Sequence, residues 1–204
     1  MSDTEIIAVG ELAALAAAAL EQTGMTSGDA QITAHHLVTM DMMGVSTHGV
    51  HRLDQYVDRL KTGAVKARAE ITVEDKAPTL AVIDGGDGQG QVVGQRALDL
   101  AMEKAKANGL SFVTVRRSSH FGGTASYARI AVAAGLVLIS GTGASPALAP
   151  FGGRDMKVGN NPFGFAAPGS LADPTGGPLP FILDMAQSVA ARGKMRKLRD
   201  AGEP

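Results

Sequence analysis

The chain has 204 residues, 45% of them hydrophobic and 19% charged, enough for one generous domain or two small ones around a sizeable core. Nineteen basic against twenty acidic residues leave a formal net charge of −1, so no basic field exists to draw in nucleic acid or an anionic membrane. Cysteine is absent, which rules out disulfides and thiolate metal sites.

The first element is an alanine-rich apolar run over 11–20. No Lys or Arg precedes Arg52 and Glu11 is acidic, so the run lacks the positive flank of a secretory leader. It is also too short to span a bilayer. Leu12, Leu15, Ala16, Ala19 and Leu20 follow helical spacing and predict a core helix, and the cytoplasm is the expected location. Thr26 offers cap chemistry to a second helix over 28–43, interrupted at Gly44 and Ser46. A third helix is expected over 49–61, with Leu53, Tyr56, Val57 and Leu60 on one face.

From there the pattern changes. Strands are expected over 70–74 and 79–83, a helix over 91–107, a strand over 111–115, a helix over 123–134 and a strand over 136–140. A Gly/Pro-rich stretch fills 141–161, followed by strands near 163–167 and 180–183 and a last helix starting near Asp184. Alternating strands and helices predict an α/β architecture. The expected organisation is a helical N-terminal segment over 1–66 and an α/β cofactor- and substrate-binding domain over 67–204.

The glycine run over 85–94 follows a strand and opens a helix, as a dinucleotide fingerprint does. Its spacing is one residue off, and the region that should end in a second strand with an acidic residue is a long helix instead. A tight strand-to-helix turn with positive φ explains these glycines. Among five histidines, His35 and His36 are adjacent in a helix and point to different faces, and no metal-ligand spacing occurs, so no metal site is expected.

Three positions carry chemistry. His48 lies in Val45-Ser-Thr-His-Gly-Val-His-Arg52, and on a helix start it would be an i, i+4 neighbour of Arg52. Such a pair suits hydride-transfer chemistry: the histidine moves the proton of a hydroxyl-to-carbonyl interconversion and the guanidinium grips a carboxylate in a fork. A helix cap with an incidental histidine fits the same residues. His120 follows an apolar strand and precedes two glycines at a helix start, suited to a ligand or phosphate or to a simple capped turn. Asp184 ends a strand and opens a helix, where it either caps that helix or, from a buried position, holds a histidine in one tautomer. Asp184, Ser188 and Arg192 then form a polar stripe that a solvated helix face explains equally well.

Several segments in order resemble the malate/L-lactate dehydrogenase family over nearly the whole chain. They are Gly44-Val-Ser-Thr-His-Gly-Val-His-Arg-Leu53, the stretch 84–94, Ser118-Ser-His-Phe-Gly-Gly123, Ser145-Pro-Ala-Leu-Ala-Pro-Phe-Gly-Gly153, Gly159-Asn-Asn-Pro162 and Leu183-Asp-Met-Ala-Gln-Ser188. The resemblance implies an α/β fold that binds NAD or NADP without a Rossmann domain. It implies that His48 is the acid/base, that Thr47 and Asp184 orient it, and that Arg52 clamps the substrate carboxylate. His120, Phe121, Gly122, Gly123 and Thr124 match a loop on the cofactor, where His120 also faces the substrate. Asn160 falls beside nicotinamide and substrate. Thr47 stands where the family has serine, and Asn160 where it more often has threonine.

The implied function is a homodimeric oxidoreductase acting on a small 2-hydroxyacid or 2-oxoacid such as malate or lactate. Family members continue well past residue 204, and the Gly-Glu-Pro ending reads as a helix stop leading into further chain. The chain is therefore expected to be about the N-terminal two-thirds of such an enzyme and a poor catalyst alone. The alternative is a catalytically silent homologue that serves as a dimerising or binding module. A hydrolase using Thr47 and His48 is disfavoured, because no oxyanion-hole or nucleophile-elbow sequence accompanies them.

Overall fold

Thr26 caps the second helix as its position predicts: Oγ1 accepts the Asp29 N–H at 3.2 Å, opening α2 (Ser27–Met42). This computed structural model describes residues 6–169, 179–188, 198, 199 and 202. The chain divides into two units, Met1–Gly122 and Gly123–Pro204, so the expected boundary at 66/67 falls inside the first.

In the first unit, α1 (Val9–Glu21) and α2 pack with α3 (Leu53–Lys61) around Leu20, Leu37, Tyr56 and Leu60. The predicted α3 face is the buried one. On α1 the buried stripe is Ala16, Ala17 and Leu20, whereas Leu15 is exposed: alanines let α2 approach closely, and the stripe turns toward them. The sheet follows in order β1-β2-β3: β1 (Thr72–Ala77), β2 (Leu80–Gly88) and β3 (Phe112–Ser118). β1 and β2 are antiparallel across a two-residue turn at Pro78 and Thr79, with Ala77 opposite Leu80. β2 and β3 are parallel, joined by α4 (Gly90–Asn108).

The glycine run is the end of β2. Its register against β3 shifts between Asp84 and Gly88, with Gly86 at φ 58° and Asp87 at φ 65°. α4 then starts so close to the loop after β3 that a Cβ on Gly90 would strike the His120 carbonyl, and Gly90 N–H donates to Ser119 Oγ at 2.9 Å. Within the run only Gly86 has the expected positive φ, and Gly90 serves instead to let the start of α4 dock on the His120 backbone.

In the second unit, α5 (Thr124–Ala133) packs on a sheet of order β4-β5-β6: β4 (Leu138–Gly141), β5 (Phe163–Ala167) and β6 (Phe181–Met185), all antiparallel. β6 does not stop at Leu183 as expected. Pairing of Gly164 with Asp184 and of Phe163 with Met185 carries the strand two residues further, so Asp184 sits within a strand and opens no helix. Arg192, and with it the expected polar stripe, lies outside the described residues. No helix among the described residues is long and apolar enough to cross a membrane.

Candidate functional site

The segment between α2 and α3 is built by Gly49. Instead of one helix from residue 49, two 3₁₀ turns occur, Ser46–His48 and Val50–Arg52, broken at Gly49 in an extended conformation. Asp41, near the end of α2, reaches across the break: its Oδ2 accepts the Val50 N–H at 2.7 Å. A Cβ on Gly49 would occupy the space of that carboxylate. His48 and Arg52 therefore do not share an α-helical face. They are tied instead through backbone, because Arg52 Nε donates to the Thr47 carbonyl at 2.7 Å.

A second Arg52 nitrogen, Nη1, donates to Gln55 Oε1 at 2.9 Å. With Nε spent on Thr47, a side-on fork through Nε is closed, and the end of the guanidinium is what a carboxylate can meet. Thr47 Oγ1 lies 3.1 Å from His48 Nδ1, so the hydroxyl beside the histidine is in hydrogen-bond contact with it. Both residues are half-buried.

His120 comes to this place from the loop after β3. Its ring stacks on that of His48, with centroids 5.6 Å apart and planes 22° from parallel. Its Nδ1 lies 2.6 Å from Tyr56 Oη. Surrounding protein, then the positive fields of His48, Arg52 and Arg59, lower its pKa to about 4. The residue as a whole is exposed and keeps part of its hydration, so the direction of that shift is what matters: it favours the neutral ring at pH 7. The first unit thus brings together Thr47, His48, Arg52 and His120.

Sequence reasoning missed Asp41, Tyr56 as a polar group, Gln89 and Gln91. Gln91 Nε2 donates to Tyr56 Oη at 2.9 Å, and Gln89 Nε2 donates to Gln91 Oε1 at 2.6 Å. Burial pushes the Tyr56 phenol up to about 12. The spacing of glutamines 89 and 91 at a helix start was a visible signal, but nothing local ties them to a tyrosine 35 residues away.

The remaining expected residues belong to the second unit. Asp184 is exposed, not buried, and its Oδ2 accepts the Ala125 N–H at 2.9 Å in the first turn of α5. That places a carboxylate on the positive end of the helix where a phosphate was expected. A second anion there would meet a like charge. An uncharged or cationic group fits better. Thr124 Oγ1 and Ser140 Oγ are buried without partners among the described residues, and both face Gly164, where a Cβ would collide with the first. The Asn160 carbonyl accepts the Gln187 N–H at 2.8 Å, while its side-chain amide takes no partner among the described residues. Such an amide can both donate and accept.

A family model described as malate/L-lactate dehydrogenase matches residues 7–204. The malate dehydrogenase of Pyrococcus abyssi is 40% identical over 193 residues, which cover 95% of this chain and 51% of that protein. The L-sulfolactate dehydrogenase of Methanocaldococcus jannaschii is 39% identical over 86% of this chain and 49% of its own length. The solved structure of malate dehydrogenase from Pyrococcus horikoshii OT3 superimposes with a TM-score of 0.89 at 38% identity, over 96% of this chain and 54% of that one. The α/β fold shared with these proteins is the non-Rossmann one expected. The chain spans about half the length of the curated relatives it matches, less than the expected two-thirds.

Proposed function

This chain belongs to the malate/L-lactate dehydrogenase family, and we propose from that premise that it carries the proton-transfer and carboxylate-binding half of an NAD(P)-dependent 2-hydroxyacid oxidoreductase. One observation carries the reading: a stacked His48–His120 pair in the field of Arg52 and Arg59, with Arg52 locked to the Thr47 backbone. Two cations beside a neutral imidazole suit a substrate that is anionic at one end and reacts at an adjacent carbon–oxygen bond.

In the reduction direction, the end of the Arg52 guanidinium holds the carboxylate of a 2-oxoacid. His48 gives a proton to the oxo oxygen as it becomes a hydroxyl, and Thr47 orients the ring through Nδ1. The nicotinamide, when bound, supplies the hydride to the oxo carbon or takes it back. Phe121, Gly122, Gly123, Thr124 and Asn160, with His120, are the residues we assign to holding its nicotinamide end. Asp184 enters this reading through α5, whose first turn it secures. Malate, lactate and sulfolactate, named in the relatives, support small 2-hydroxyacids as the substrate class, and we propose a cytoplasmic homodimer as its form.

The chain spans about half the relatives' length, and in a second reading residues 1–204 bind a 2-oxoacid or NADH without turnover. Absorbance of NADH and of NADPH, followed with a panel of 2-oxoacids and paired with a fluorescence titration, separates the two. Oxidation that requires a 2-oxoacid supports the first reading. Binding without oxidation supports the second, and neither result with any acid refutes both.

A further inference from the structure

The hydrogen bonds that end on His120 have a direction. Gln89 Nε2 donates to Gln91 Oε1, Gln91 Nε2 donates to Tyr56 Oη, and Oη meets His120 Nδ1 at 2.6 Å. Gln89, Gln91 and Tyr56 are all buried, Gln91 completely, so water does not compete for the two amide bonds. A phenol carries one proton. With one lone pair of Oη taken by Gln91, the acceptor its own proton meets among the described residues is Nδ1, so we direct that proton there. A neutral imidazole that accepts at Nδ1 carries its hydrogen on Nε2.

We propose that Gln89, Gln91 and Tyr56 form a polarised relay that fixes His120 in the Nε2–H tautomer, making it a hydrogen-bond donor at its open edge. Resting on the oxidoreductase reading, this makes His120 the group that polarises the oxo oxygen and leaves the proton transfer to His48. The relay residues touch no reacting atom; they are positioning residues. Burial keeps the phenol protonated, and burial, then the fields of His48, Arg52 and Arg59, favours the neutral His120 ring, which is the state the relay needs. The neighbouring backbone is fixed as well, because Gly90 N–H holds Ser119 Oγ. An uncharged donor suits this place: two arginines already supply the charge, and a donor with Nδ1 held rigidly costs no reorganisation when the oxygen gains electron density.

The test reads the ring directly, without substrate or cofactor. Residues 1–204 are labelled with ¹⁵N-histidine, His120 is identified by the signals lost in His120→Gln, and long-range proton–nitrogen correlations are recorded at pH 7. The expected pair is a pyridine-like Nδ1 and a pyrrole-like Nε2. The inverse pair, which both amides turned over would produce, overturns the proposal, and so do averaged shifts. Gln91→Met keeps the shape and removes the donor, so both tautomers become populated and the two nitrogen shifts move together. A pair unchanged in that variant shows that the relay does not set the tautomer. Should Gln91→Met fail to fold, Tyr56→Phe removes the last link and is held to the same outcomes. A locked tautomer in a protein that oxidises no NADH sinks the functional reading alone; an unlocked one in an active protein sinks the relay alone.

Discussion

The Asp41 carboxylate accepts the Val50 N–H and fills the space that a side chain at Gly49 would need. Both facts come from one packing decision: α2 ends with a carboxylate that pins the turn carrying Thr47 and His48. Gly49→Ala forces that carboxylate out and leaves the Val50 N–H short of its partner. The expected loss is about 1–3 kcal/mol, read as a lower urea midpoint. Asp41→Asn, whose amide oxygen can still accept, should lose less. An unshifted midpoint for Gly49→Ala would show that the turn is held by something else.

Arg52 has already spent Nε on Thr47 and one Nη1 hydrogen on Gln55, so its end is the part left for a carboxylate. In any form of the protein that turns over, Arg52→Lys should raise KM for carboxylate substrates roughly tenfold or more, since an ammonium makes no fork and cannot also hold the Thr47 carbonyl. His48→Ala should lower turnover by about 10²–10⁴. Unchanged KM in the first variant, or near-normal turnover in the second, removes that residue from the role.

The helices and most strands were legible because their signals are local: α2 has its cap at Thr26, and α3 shows its buried face as Leu53, Tyr56, Val57 and Leu60. Thr47, His48 and Arg52 were legible for the same reason. What pairs across the chain was not. β6 runs through Asp184 because β5 offers partners as far as Phe163, which no property of residues 181–185 announces. The relay to His120 joins residues 56, 89, 91 and 120, whose neighbours in sequence look like ordinary core and helix-start residues. The glycines over 85–94 were visible, but their reasons lie elsewhere in the chain: Gly90 meets the backbone of His120, 30 residues on, and Gly86 that of Glu70.

His36 is 2% exposed between α2 and α4, bonded to Gln95 Oε1 at 3.0 Å, and burial lowers its pKa to about 4 from an ordinary 6.5. The folded state holds it neutral, whereas the unfolded chain protonates it below pH 6.5. Its contribution is therefore fully present above pH 6.5 and is lost as pH falls toward 4. At 1.36 kcal/mol per pKa unit the loss totals about 3 kcal/mol. Urea unfolding at pH 7.5, 6 and 5 should show the decline, and His36→Gln should flatten it over that range. An equal slope in the variant would assign the pH dependence elsewhere.

Among the described residues β3 is an edge strand of its sheet, with Phe112 63% exposed beside an exposed Leu110; in the second unit Ile139 is 68% exposed and Phe181 is also open. Open edges with apolar side chains recruit partners. Residues 1–204 should therefore form dimers or larger species by light scattering at micromolar concentration. Phe112→Lys should shift that distribution toward monomer. A monodisperse monomer for the unmodified chain would contradict the expectation.

Asp184 separates two roles that the same residue could serve. Its exposed carboxylate accepts the Ala125 N–H at 2.9 Å, a charge-assisted bond at the positive end of α5. If that is its work, Asp184→Asn, which keeps an acceptor and drops the charge, should cost about 0.3–1 kcal/mol, and Asp184→Ala, which drops both, about 1–2 kcal/mol. The Asn penalty should shrink in high salt, because screening weakens an exposed charge. These losses appear in urea unfolding with no substrate present. If Asp184 instead orients His48, turnover falls in Asp184→Asn with stability and cofactor affinity unchanged. A graded, salt-sensitive stability loss assigns it to α5. A turnover loss at constant stability returns it to His48 and ends the α5 assignment.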